Sequence, residues 1–389
     1  MVIGTARSVD YDAVIVGARC AGAATAMLLA RRGLRVLMID RTRYGTDTVS
    51  THALMRGGVL QLHRWGILER IRAAGTPVIH DTSFHYAGDI VNVAIKPHNG
   101  VDGLYAPRRT IIDALLVDAA REAGAEVAFE TRLIDLVRGD DGRVSGVRFS
   151  RRDAPERQVT ADLVIGADGF RSTVARLVGA SPYRVGAHTT AVLFSYWSGI
   201  GLDGYHWYFR PGVSAGVVPT NDGLTCVFVS VPPSRFQAEA QLGRAALHRR
   251  MLEECDAQLS TIVDDADRVE EYRGFSGQVG FFRQSFGPGW ALVGDAGYFK
   301  DPLTAHGITD ALIDAELLAS AVTNGTERAL AAYQTARDER ATELFRVTDA
   351  VASFDWDLIS LQQLHRSLSE EMKKETLGVS SLPEAGLHR

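Results

Sequence analysis

The sequence predicts an α/β fold, in which a discontinuous Rossmann-like nucleotide-binding domain carries an inserted, mainly antiparallel β domain and a C-terminal helical segment. An apolar run over residues 11–16 leads into Gly17 and then into an Ala- and Leu-rich helix, which begins a βαβ unit. A second strand–loop–helix junction occupies residues 290–321. Between the two, alternating apolar and polar segments over residues 185–285 predict antiparallel strands. The nucleotide-binding domain is therefore predicted to be split along the chain.

The domain boundaries follow from where the residue pattern changes. Residues 80–106 alternate polar and aromatic side chains, as in an exposed antiparallel sheet, whereas residues 325–374 have helical periodicity. We predict three parts: a nucleotide-binding domain of 1–79, 105–184 and 285–345, a substrate domain of 80–104 and 185–284, and a C-terminal helical tail of 346–389.

Composition restricts the class of protein. The chain has 389 residues, 46% of them hydrophobic, and its net charge of −5 argues against a nucleic-acid binder. The three cysteines form neither a disulfide framework nor a metal-binding spacing, so we expect no metal and a reducing compartment. Residues 1–10 lack an apolar signal segment, and no uncharged run reaches the roughly 18–20 residues that span a bilayer. These features predict a cytoplasmic protein without a membrane span.

The first turn, Gly17-Ala18-Arg19-Cys20-Ala21-Gly22, has the G-x-x-x-x-G frame of a dinucleotide-binding turn. Its first glycine permits a tight turn, and its last lets the helix pack closely against the strand. The middle glycine of the usual fingerprint is Arg19 here. Either the loop shifts outward and Arg19 supplies charge, or the phosphate lies elsewhere. A glycine-rich turn that binds nothing is the alternative interpretation.

Asp40 ends the second strand of the βαβ unit. A carboxylate at this position can accept hydrogen bonds from both ribose hydroxyls of an adenosine, and it disfavours a 2′-phosphate. An N-cap or a solvated loop acid is the alternative interpretation. We predict an adenosine of the FAD or NAD type beside this residue.

The segment from Trp290 to Ile308 is the most informative stretch of the chain. An apolar run leads into Gly294-Asp295, and a helix-like segment begins at Ile308, after Pro302 and Gly307. Unpaired backbone N–H groups at such a helix N-terminus, together with the helix dipole, attract an anionic or electron-rich ligand edge. With the first turn, this junction predicts one large ligand held at both ends.

Two further residues are weaker candidates when taken alone. Arg109 precedes a helix predicted over Ile111–Ala123, where a guanidinium suits a phosphate, although an isolated arginine is more often a surface residue. Asp168 lies in a strand–turn–helix junction in which Ser172 can cap the helix, and that junction is equally well explained as structural.

These motifs occur in a fixed order along the chain: the first turn, Arg109-Thr110-Ile111-Ile112-Asp113, Ala167-Asp168-Gly169 and Gly294-Asp295. Together they resemble the FAD-dependent aromatic hydroxylases of the para-hydroxybenzoate hydroxylase type. The same superfamily holds geranylgeranyl reductases and flavin-dependent halogenases. The resemblance spans residues 11–345. It implies an FAD-binding domain with an inserted substrate domain.

The resemblance also implies how each motif holds FAD. The residues that match those around the ADP half are Gly17, Ala18, Arg19, Ala21, Gly22, Asp40 and Arg41. Asp295 matches the carboxylate that binds the ribityl or ribose part. Arg56 and Arg109 match arginines near the FAD phosphates, and Asp168 matches a residue that serves FAD and NAD(P)H together. The loop residues at the pyrimidine edge of the flavin are Pro302, Ala305, Gly307 and Ile308.

The implied reaction is hydroxylation of an aromatic or polyketide-like small molecule with NAD(P)H and O2, through a flavin C4a-hydroperoxide. NADH or NADPH binds transiently in such proteins, and a separate flavin reductase is an alternative source of electrons. One departure is Lys300-Asp301-Pro302, where hydroxylases carry Pro-Pro, because this tripeptide is closer to the reductases and halogenases. A same-fold reductase of the geranylgeranyl reductase type, a flavin-dependent halogenase and a non-catalytic flavin-binding protein therefore stay open. The Trp-x-Trp-x-Ile-Pro signature and the lysine of tryptophan-type halogenases are not found.

His52 and His306 are the candidate catalytic residues. His52 follows the second strand, where the chain is expected to pass the flavin, and His306 lies in the flavin loop. A histidine in either place can relay a proton near neutral pH, although a structural hydrogen-bond donor is the alternative. Aromatic residues of the inserted sheet, such as Tyr196 and Trp207, would line a pocket or a core, because alternation alone does not tell which half faces the ligand.

Overall fold

The structure, a computed structural model, describes residues 9–152 and 154–382. Residues 1–8 of the predicted nucleotide-binding domain and residues 383–389 of the predicted tail lie outside the described residues. The strands are β1 (Tyr11–Val16), β2 (Val36–Ile39), β3 (Asp81–Tyr86), β4 (Asp89–Ala94), β5 (Glu126–Ala128), β6 (Thr131–Arg138), β7 (Val144–Arg151), β8 (Arg157–Gly166), β9 (Pro182–Val185), β10 (Ala191–Ser198), β11 (Tyr205–Arg210), β12 (Val213–Pro219), β13 (Thr225–Val231), β14 (Asp267–Arg268), β15 (Arg273–Phe275), β16 (Phe281–Arg283), β17 (Phe286–Gly287), β18 (Trp290–Leu292) and β19 (Tyr298–Phe299).

The α-helices connect and cover these strands. They are α1 (Cys20–Arg31), α2 (Arg56–Arg64), α3 (Leu68–Ala73), α4 (Arg109–Glu122), α5 (Thr173–Val178), α6 (Pro233–Glu239), α7 (Arg244–Cys255), α8 (Ala257–Asp264), α9 (Gly307–Thr323), α10 (Glu327–Ala352) and α11 (Leu358–Ser380). None of the described helices is both long enough and apolar enough to cross a lipid bilayer.

A mainly parallel sheet forms the centre of the nucleotide-binding part. Its strand order is β17-β18-β8-β1-β2-β5, and β1 pairs in parallel with both β2 and β8, as β18 does with β8. The carboxyl ends of parallel strands meet at one edge of a sheet. The turns after β1, β2, β8 and β18 therefore converge, although they are far apart in sequence. This edge is where the candidate site lies.

The second large sheet has the order β14-β10-β13-β12-β11-β3-β4, and all its pairings are antiparallel except that of β3 with β11. One face packs against α7 and α8 through Trp197, Tyr208 and neighbouring aliphatic side chains. The other face carries the aromatic wall, which consists of Tyr86, Phe194, Tyr196, Tyr205, Trp207, Phe209 and Phe228. The structure thus settles which half of the alternating residues shares the core with the C-terminal helices.

The predicted α/β class, the split Rossmann-like domain, the antiparallel insert and the C-terminal helices are confirmed. Some local boundaries were wrong. The helix predicted from Ile111 begins at Arg109, so this arginine occupies the first turn rather than preceding the helix. The last helix extends to Ser380, past the predicted end at 374, because its apolar stripe continues to Val379. The exact limits of the domains stay a prediction.

Candidate functional site

The turn after β1 is packed so tightly that its two glycines admit no side chain. Gly17 has a φ of +110°, and a Cβ placed on it would lie 2.4 Å from the carbonyl oxygen of Ala167, at the end of β8. A Cβ on Gly22 would lie 1.8 Å from the carbonyl oxygen of Gly17. The backbone of this turn is therefore bare and fixed. Such a turn lets a pyrophosphate approach the start of a helix.

Helix α1 begins without a side-chain cap, because no side-chain hydrogen bond satisfies its first N–H groups. Two guanidinium groups stand beside this end. Arg19 lies 3.3 Å from one carboxylate oxygen of Asp113, and Arg109 lies 3.0 Å from the other. The Sγ of Cys20 also donates to Asp113 over 3.0 Å. The unfilled donors and the paired arginines suit an anionic phosphate group.

Asp40 lies at the neighbouring strand end, where a ribose would be bound. Its carboxylate accepts hydrogen bonds from the backbone N–H of Ala18 over 2.7 Å and from the N–H and hydroxyl of Thr42 over 2.7 and 2.6 Å. Asp40 lines a cleft together with Tyr44 and Phe129. Its other lining residues include Ala18, Arg19, Thr42, Asp113 and Val117. The exposed Arg41 lines a wider adjoining cleft.

The second nucleotide-type motif packs directly on the first. Gly294 has a φ of +59°, and a Cβ on it would lie 2.9 Å from the Cβ of Ala21 in α1. Asp295 accepts no hydrogen bond from the described residues, although the residue is only partly exposed and protein atoms surround its carboxylate. Burial, followed by the nearby Asp310 carboxylate, raises the pKa of Asp295 to about 7, and Arg109 opposes this rise. An unpaired carboxylate of this kind fits a ligand that donates hydroxyl groups.

The segment 300–308, which comprises the loop after β19 and the first two residues of α9, was predicted to lie at the flavin and is here called the flavin loop; hydrogen bonds connect it to the inserted sheet. Asp301 accepts hydrogen bonds from the N–H and hydroxyl of Thr190, over 2.7 and 2.8 Å, and caps the short turn that begins at Pro302. Ala305 is in the left-handed conformation, with a φ of +51°. No atom lies within 4 Å of a Cβ built on Gly307, and α9 has no side-chain cap. The half-buried Ile308 follows. This second uncapped helix end therefore faces open space.

His306 does not face that space. Its ring is fully buried, with Nδ1 lying 3.0 Å from the Nζ of Lys300 and 3.3 Å from a carboxylate oxygen of Asp310. Its Nε2 lies 3.0 Å from the Oε1 of Glu375, an ionic contact without hydrogen-bond alignment. Arg340 joins the same group by contacting both Asp310 and Glu375. The role of His306 as a proton relay stays a prediction, and the structure places it in a closed ionic cluster.

The ionic cluster contains atoms that could ligate a metal, namely those of His306, Asp310 and Glu375. Two cations already contact these atoms, because Lys300 pairs with Asp310 and Arg340 pairs with both carboxylates. A metal ion would have to displace both of them from a buried position. The donor set therefore fits an internal salt-bridge network better than a metal centre.

His52 lies at the boundary between the nucleotide-binding part and the aromatic wall. It adopts the left-handed conformation, with a φ of +64°, although it is not glycine. The Nε2 atom of its buried ring contacts the hydroxyl of Tyr196 on β10, and its Nδ1 has no partner among the described residues. Burial lowers the pKa of His52 to about 3, so the ring is neutral. A strained residue with an unsatisfied buried atom indicates a ligand-facing position.

Arg108, which was not a predicted site residue, stands over Tyr196 with its Cζ 3.9 Å from the ring centroid. It contacts Asp47 over 2.9 Å and Glu270 over 2.7 Å. Arg273 contacts the same two carboxylates. In sequence Arg108 and Arg109 are indistinguishable neighbours, and only the start of α4 separates them. Arg109 contacts Asp113 beside the first turn, whereas Arg108 lies against Tyr196 of the aromatic wall.

Two predicted cofactor residues, Arg56 and Asp168, have hydrogen-bond partners within the protein. Arg56 donates to the backbone carbonyl of Lys96 over 2.8 Å. Asp168 accepts from the hydroxyl of Ser172 over 2.5 Å and from the N–H of Thr173 over 2.6 Å, so both its oxygens are occupied at the start of α5. Ser172 caps this helix, as predicted. Contacts of Arg56 and Asp168 with a cofactor stay predictions.

These features define a protein that binds an extended dinucleotide. They are a parallel sheet with a bare glycine turn, a carboxylate at the end of its second strand, and two uncapped helices at one edge. A family profile described as "FAD binding domain" matches residues 10–348, and the chain belongs to this family. FAD fits the residues at this edge, because the bare backbone, paired arginines and unpaired Asp295 match its pyrophosphate and hydroxyl groups.

Known proteins agree with this assignment. The chain is 31% identical to a digeranylgeranylglycerophospholipid reductase of Methanothrix thermoacetophila, over 94% of this chain and 93% of that one. Its fold is similar to that of the flavin-dependent brominase Bmp2, with a TM-score of 0.80 and 19% identity over 95% and 93% of the two chains. It is also similar to PqsL, a probable FAD-dependent monooxygenase from Pseudomonas aeruginosa, with a TM-score of 0.72 and 22% identity over 96% and 100%. The chain is thus an FAD-binding protein of the oxidoreductase superfamily that holds monooxygenases, halogenases and geranylgeranyl reductases.

Proposed function

We propose that the protein is an FAD-dependent monooxygenase that uses NAD(P)H and O2 to hydroxylate an aromatic or polyketide-like small molecule. One oxygen atom enters the substrate, and the other leaves as water with two electrons taken from NAD(P)H. The observation that carries the proposal is the unsatisfied Nδ1 of His52, buried beside Tyr196 and the aromatic wall. That arrangement suits an aromatic substrate that presents a hydroxyl group. We further propose that the protein acts in the cytoplasm.

The proposal assigns FAD to the edge of the parallel sheet. Gly17, Ala18, Arg19, Ala21, Gly22 and Asp40 would hold the ADP half, and Arg109 would serve the phosphates. Asp295 would accept hydrogen bonds from hydroxyl groups of the cofactor, and the flavin loop would face the pyrimidine edge. FAD supplies electron transfer and oxygen activation when it is bound.

The other roles in the proposed reaction belong to His52, Arg108 and the apolar side chains of the aromatic wall. Because the ring of His52 is neutral, one of its nitrogens can accept a hydrogen bond while the other donates one. Its contact with Tyr196 leaves Nδ1 as the free partner for a substrate hydroxyl. Arg108 holds the same tyrosine ring by a cation–π contact, while its charge is paired with Asp47 and Glu270. The apolar side chains exclude water from the reacting atoms.

In the Tyr196→Phe variant we expect kcat/KM to fall by about a hundredfold or more, because the buried pair with His52 is broken. FAD retention should be unchanged, since the ring stays beneath Arg108. The matched control is Tyr208→Phe, which removes a hydroxyl from the opposite face of the same sheet. Turnover by the Tyr196 variant at the wild-type rate would refute the assigned role.

The activity itself is tested by following NADH and NADPH oxidation together with oxygen uptake in the presence of a panel of phenols and polyketide-like aromatics. We expect consumption of one O2 per hydroxylated product. Bound flavin without NAD(P)H oxidation under any substrate would instead indicate a non-catalytic flavin-binding protein. Full activity only when a separate flavin reductase is added would assign the electron supply to that partner.

A same-fold reductase is the second candidate. The 31% identity to an enzyme named digeranylgeranylglycerophospholipid reductase favours it, as does Lys300-Asp301-Pro302. The buried aromatic wall also suits an isoprenoid chain. Saturation of an isoprenoid double bond under anaerobic conditions, without any oxygenated product, would replace the monooxygenase proposal with this one.

The number and positions of the lysines argue against a halogenase. The sequence has only four, Lys96, Lys300, Lys373 and Lys374. Of these four, only Lys300 belongs to the flavin loop, and it is buried in a salt bridge with Asp310. Lysine capture of hypohalous acid needs a free amine. Halide-dependent product formation would overturn this reasoning.

A further inference from the structure

We propose that Glu375 is a positioning residue that makes the last helix, α11, part of the FAD site, so that the flavin loop holds the cofactor firmly only while α11 is docked. The inference rests on FAD binding and not on the reaction catalysed. It therefore stands whether the enzyme is a monooxygenase or a reductase.

Helix α11 bridges the two parts of the molecule. Near its beginning, Leu361 and Leu368 are buried in the cluster that contains the aromatic wall. Near its end, Val379 is buried in the separate core of the nucleotide-binding part, to which α2 also contributes. Glu375 lies one turn before Val379. Helix α11 therefore cannot leave either of these two cores without disturbing its contacts with the other.

Glu375 contacts the flavin loop directly. Its Oε1 lies 3.0 Å from the Nε2 of His306, the residue that precedes Gly307 at the start of α9. Its Oε2 lies 2.6 Å from Arg340, which in turn contacts Asp310 and Asp314 on α9. The Glu375 carboxylate of α11 thus connects the flavin loop, through His306, with helix α9, through Arg340.

The start of α2 also packs closely against the Glu375 carboxylate. A Cβ on Gly57 would lie 2.9 Å from the Oε1 of Glu375. Helix α2 has no side-chain cap, so a carboxylate beside its first turn is favourable. The backbone N–H of Met55, just before α2, donates to the hydroxyl of Thr309 over 3.3 Å. The three helices α2, α9 and α11 therefore meet at Glu375, next to the loop assigned to the flavin.

The charges explain why the contact is sensitive to a single substitution. Glu375 and His306 are almost fully buried, and Lys300, Asp310 and Asp314 are buried with them. Burial is the largest single influence on His306 and lowers its pKa, but the Glu375 and Asp310 carboxylates together outweigh burial and the Lys300 charge, so that pKa is raised. If one charged side chain of this ionic cluster is removed, the oppositely charged side chains that it contacted stay buried without that partner. The Glu375 carboxylate is thus needed to keep the loop side chain in place.

The coupling is tested by trypsin cleavage of the full-length protein after Lys373 and Lys374, which are exposed on α11 next to Glu375. Because linkage is reciprocal, a docked α11 that favours FAD must in turn be favoured by FAD. We expect added FAD to slow release of the C-terminal fragment by about five- to a hundredfold. Equal cleavage rates with and without FAD in the wild-type protein would overturn the proposal, and this measurement needs no variant.

The variants sharpen the test. In Glu375→Gln we expect FAD to dissociate about tenfold faster or more, and the absorption bands of the remaining bound flavin to shift. Glu375→Asp keeps the carboxylate and should restore part of both properties. Glu371→Gln, an acidic position one turn earlier that pairs only with Lys374 among the described residues, should change neither. An unchanged FAD dissociation rate and spectrum in a folded Glu375→Gln protein would also contradict the proposal.

Discussion

The Asp295→Asn variant is expected to lose FAD and yet to be more stable than the wild-type protein when both are compared without cofactor at pH 8. Burial raises the pKa of this carboxyl from 3.8 to about 7. The folded protein therefore prefers the neutral acid, whereas the unfolded chain ionises at ordinary pH. Above pH 7 the wild-type protein must hold an ionised carboxylate that accepts no hydrogen bond from the described residues.

The sign of the pH dependence follows from linkage. For an acid whose pKa is raised by folding, stability is lost as the pH rises from the unfolded pKa near 3.8 to the folded pKa near 7. The penalty is absent at pH 3.8 and below and complete above pH 7, where it amounts to about 2–4 kcal/mol. The amide that replaces the carboxyl in the variant cannot ionise, so the substitution removes this penalty. FAD binding, in contrast, needs the ionised carboxylate as an acceptor of hydrogen bonds from hydroxyl groups.

Thermal unfolding of both proteins without FAD, at pH 4.5 and pH 8, measures the stability difference. We expect the two melting temperatures to be similar at the lower pH and the variant to melt higher at pH 8. Titration with FAD should show affinity at least tenfold weaker in the variant. Asp162→Asn, a substitution at an exposed position of β8, is the control. A yellow variant that retains FAD would exclude Asp295 from the cofactor site.

Much of the nucleotide edge could be predicted from sequence because parallel topology fixes it. Buried strands and the turns that follow them are visible as local patterns, and parallel strands bring those turns to one edge. Gly17, Asp40 and Gly294 therefore come together without any knowledge of side-chain packing. The pair of Arg109 and Asp113 was not predicted, because the helix was expected to begin at Ile111 and the structure begins it at Arg109.

The substrate side could not be predicted in the same way. His52 and Tyr196 are separated by 144 residues and meet only because the inserted sheet packs its even-numbered β10 residues toward the nucleotide part. Alternation predicts two faces but does not tell which of them is covered by α7 and α8. The partners of Arg108 are likewise set by tertiary packing, since Glu270 lies on a distant connection.

The burial of Glu375 could have been predicted from the helical spacing of its neighbours, although the charge of the segment suggests an exposed position. The charged run at 370–375 looks like a solvated helix end. However, Leu361, Leu364, Leu368 and Met372 recur at helical spacing, and position 375 continues their stripe. A charge on an apolar stripe requires a buried partner. His306 and Arg340 are those partners, but only the fold identifies them.

The Gly22→Ala variant is expected to be among the most damaging small substitutions at the described residues. Its added methyl group would lie 1.8 Å from the carbonyl oxygen of Gly17 and 3.1 Å from the Cβ of Ala167. Both neighbours belong to packed strand ends, so neither can move aside without displacing β1 or β8. Either α1 shifts away from the sheet or the turn opens, and in both cases the bare backbone at its start is lost. We expect no retained FAD and a lower melting temperature.

The control is Gly378→Ala in α11, where a Cβ meets no atom within 4 Å. Alanine favours a helix over glycine by about 1 kcal/mol, so this variant should be at least as stable as the wild-type protein and should keep its FAD. Flavin absorbance of the purified proteins and their melting temperatures give both readouts. Overpacking in a rigid turn typically costs about 1–3 kcal/mol, and the 1.8 Å approach at Gly22 places the cost at the upper end or beyond. A yellow, stable Gly22→Ala protein would mean that this turn is not the rigid cradle that the strand ends impose.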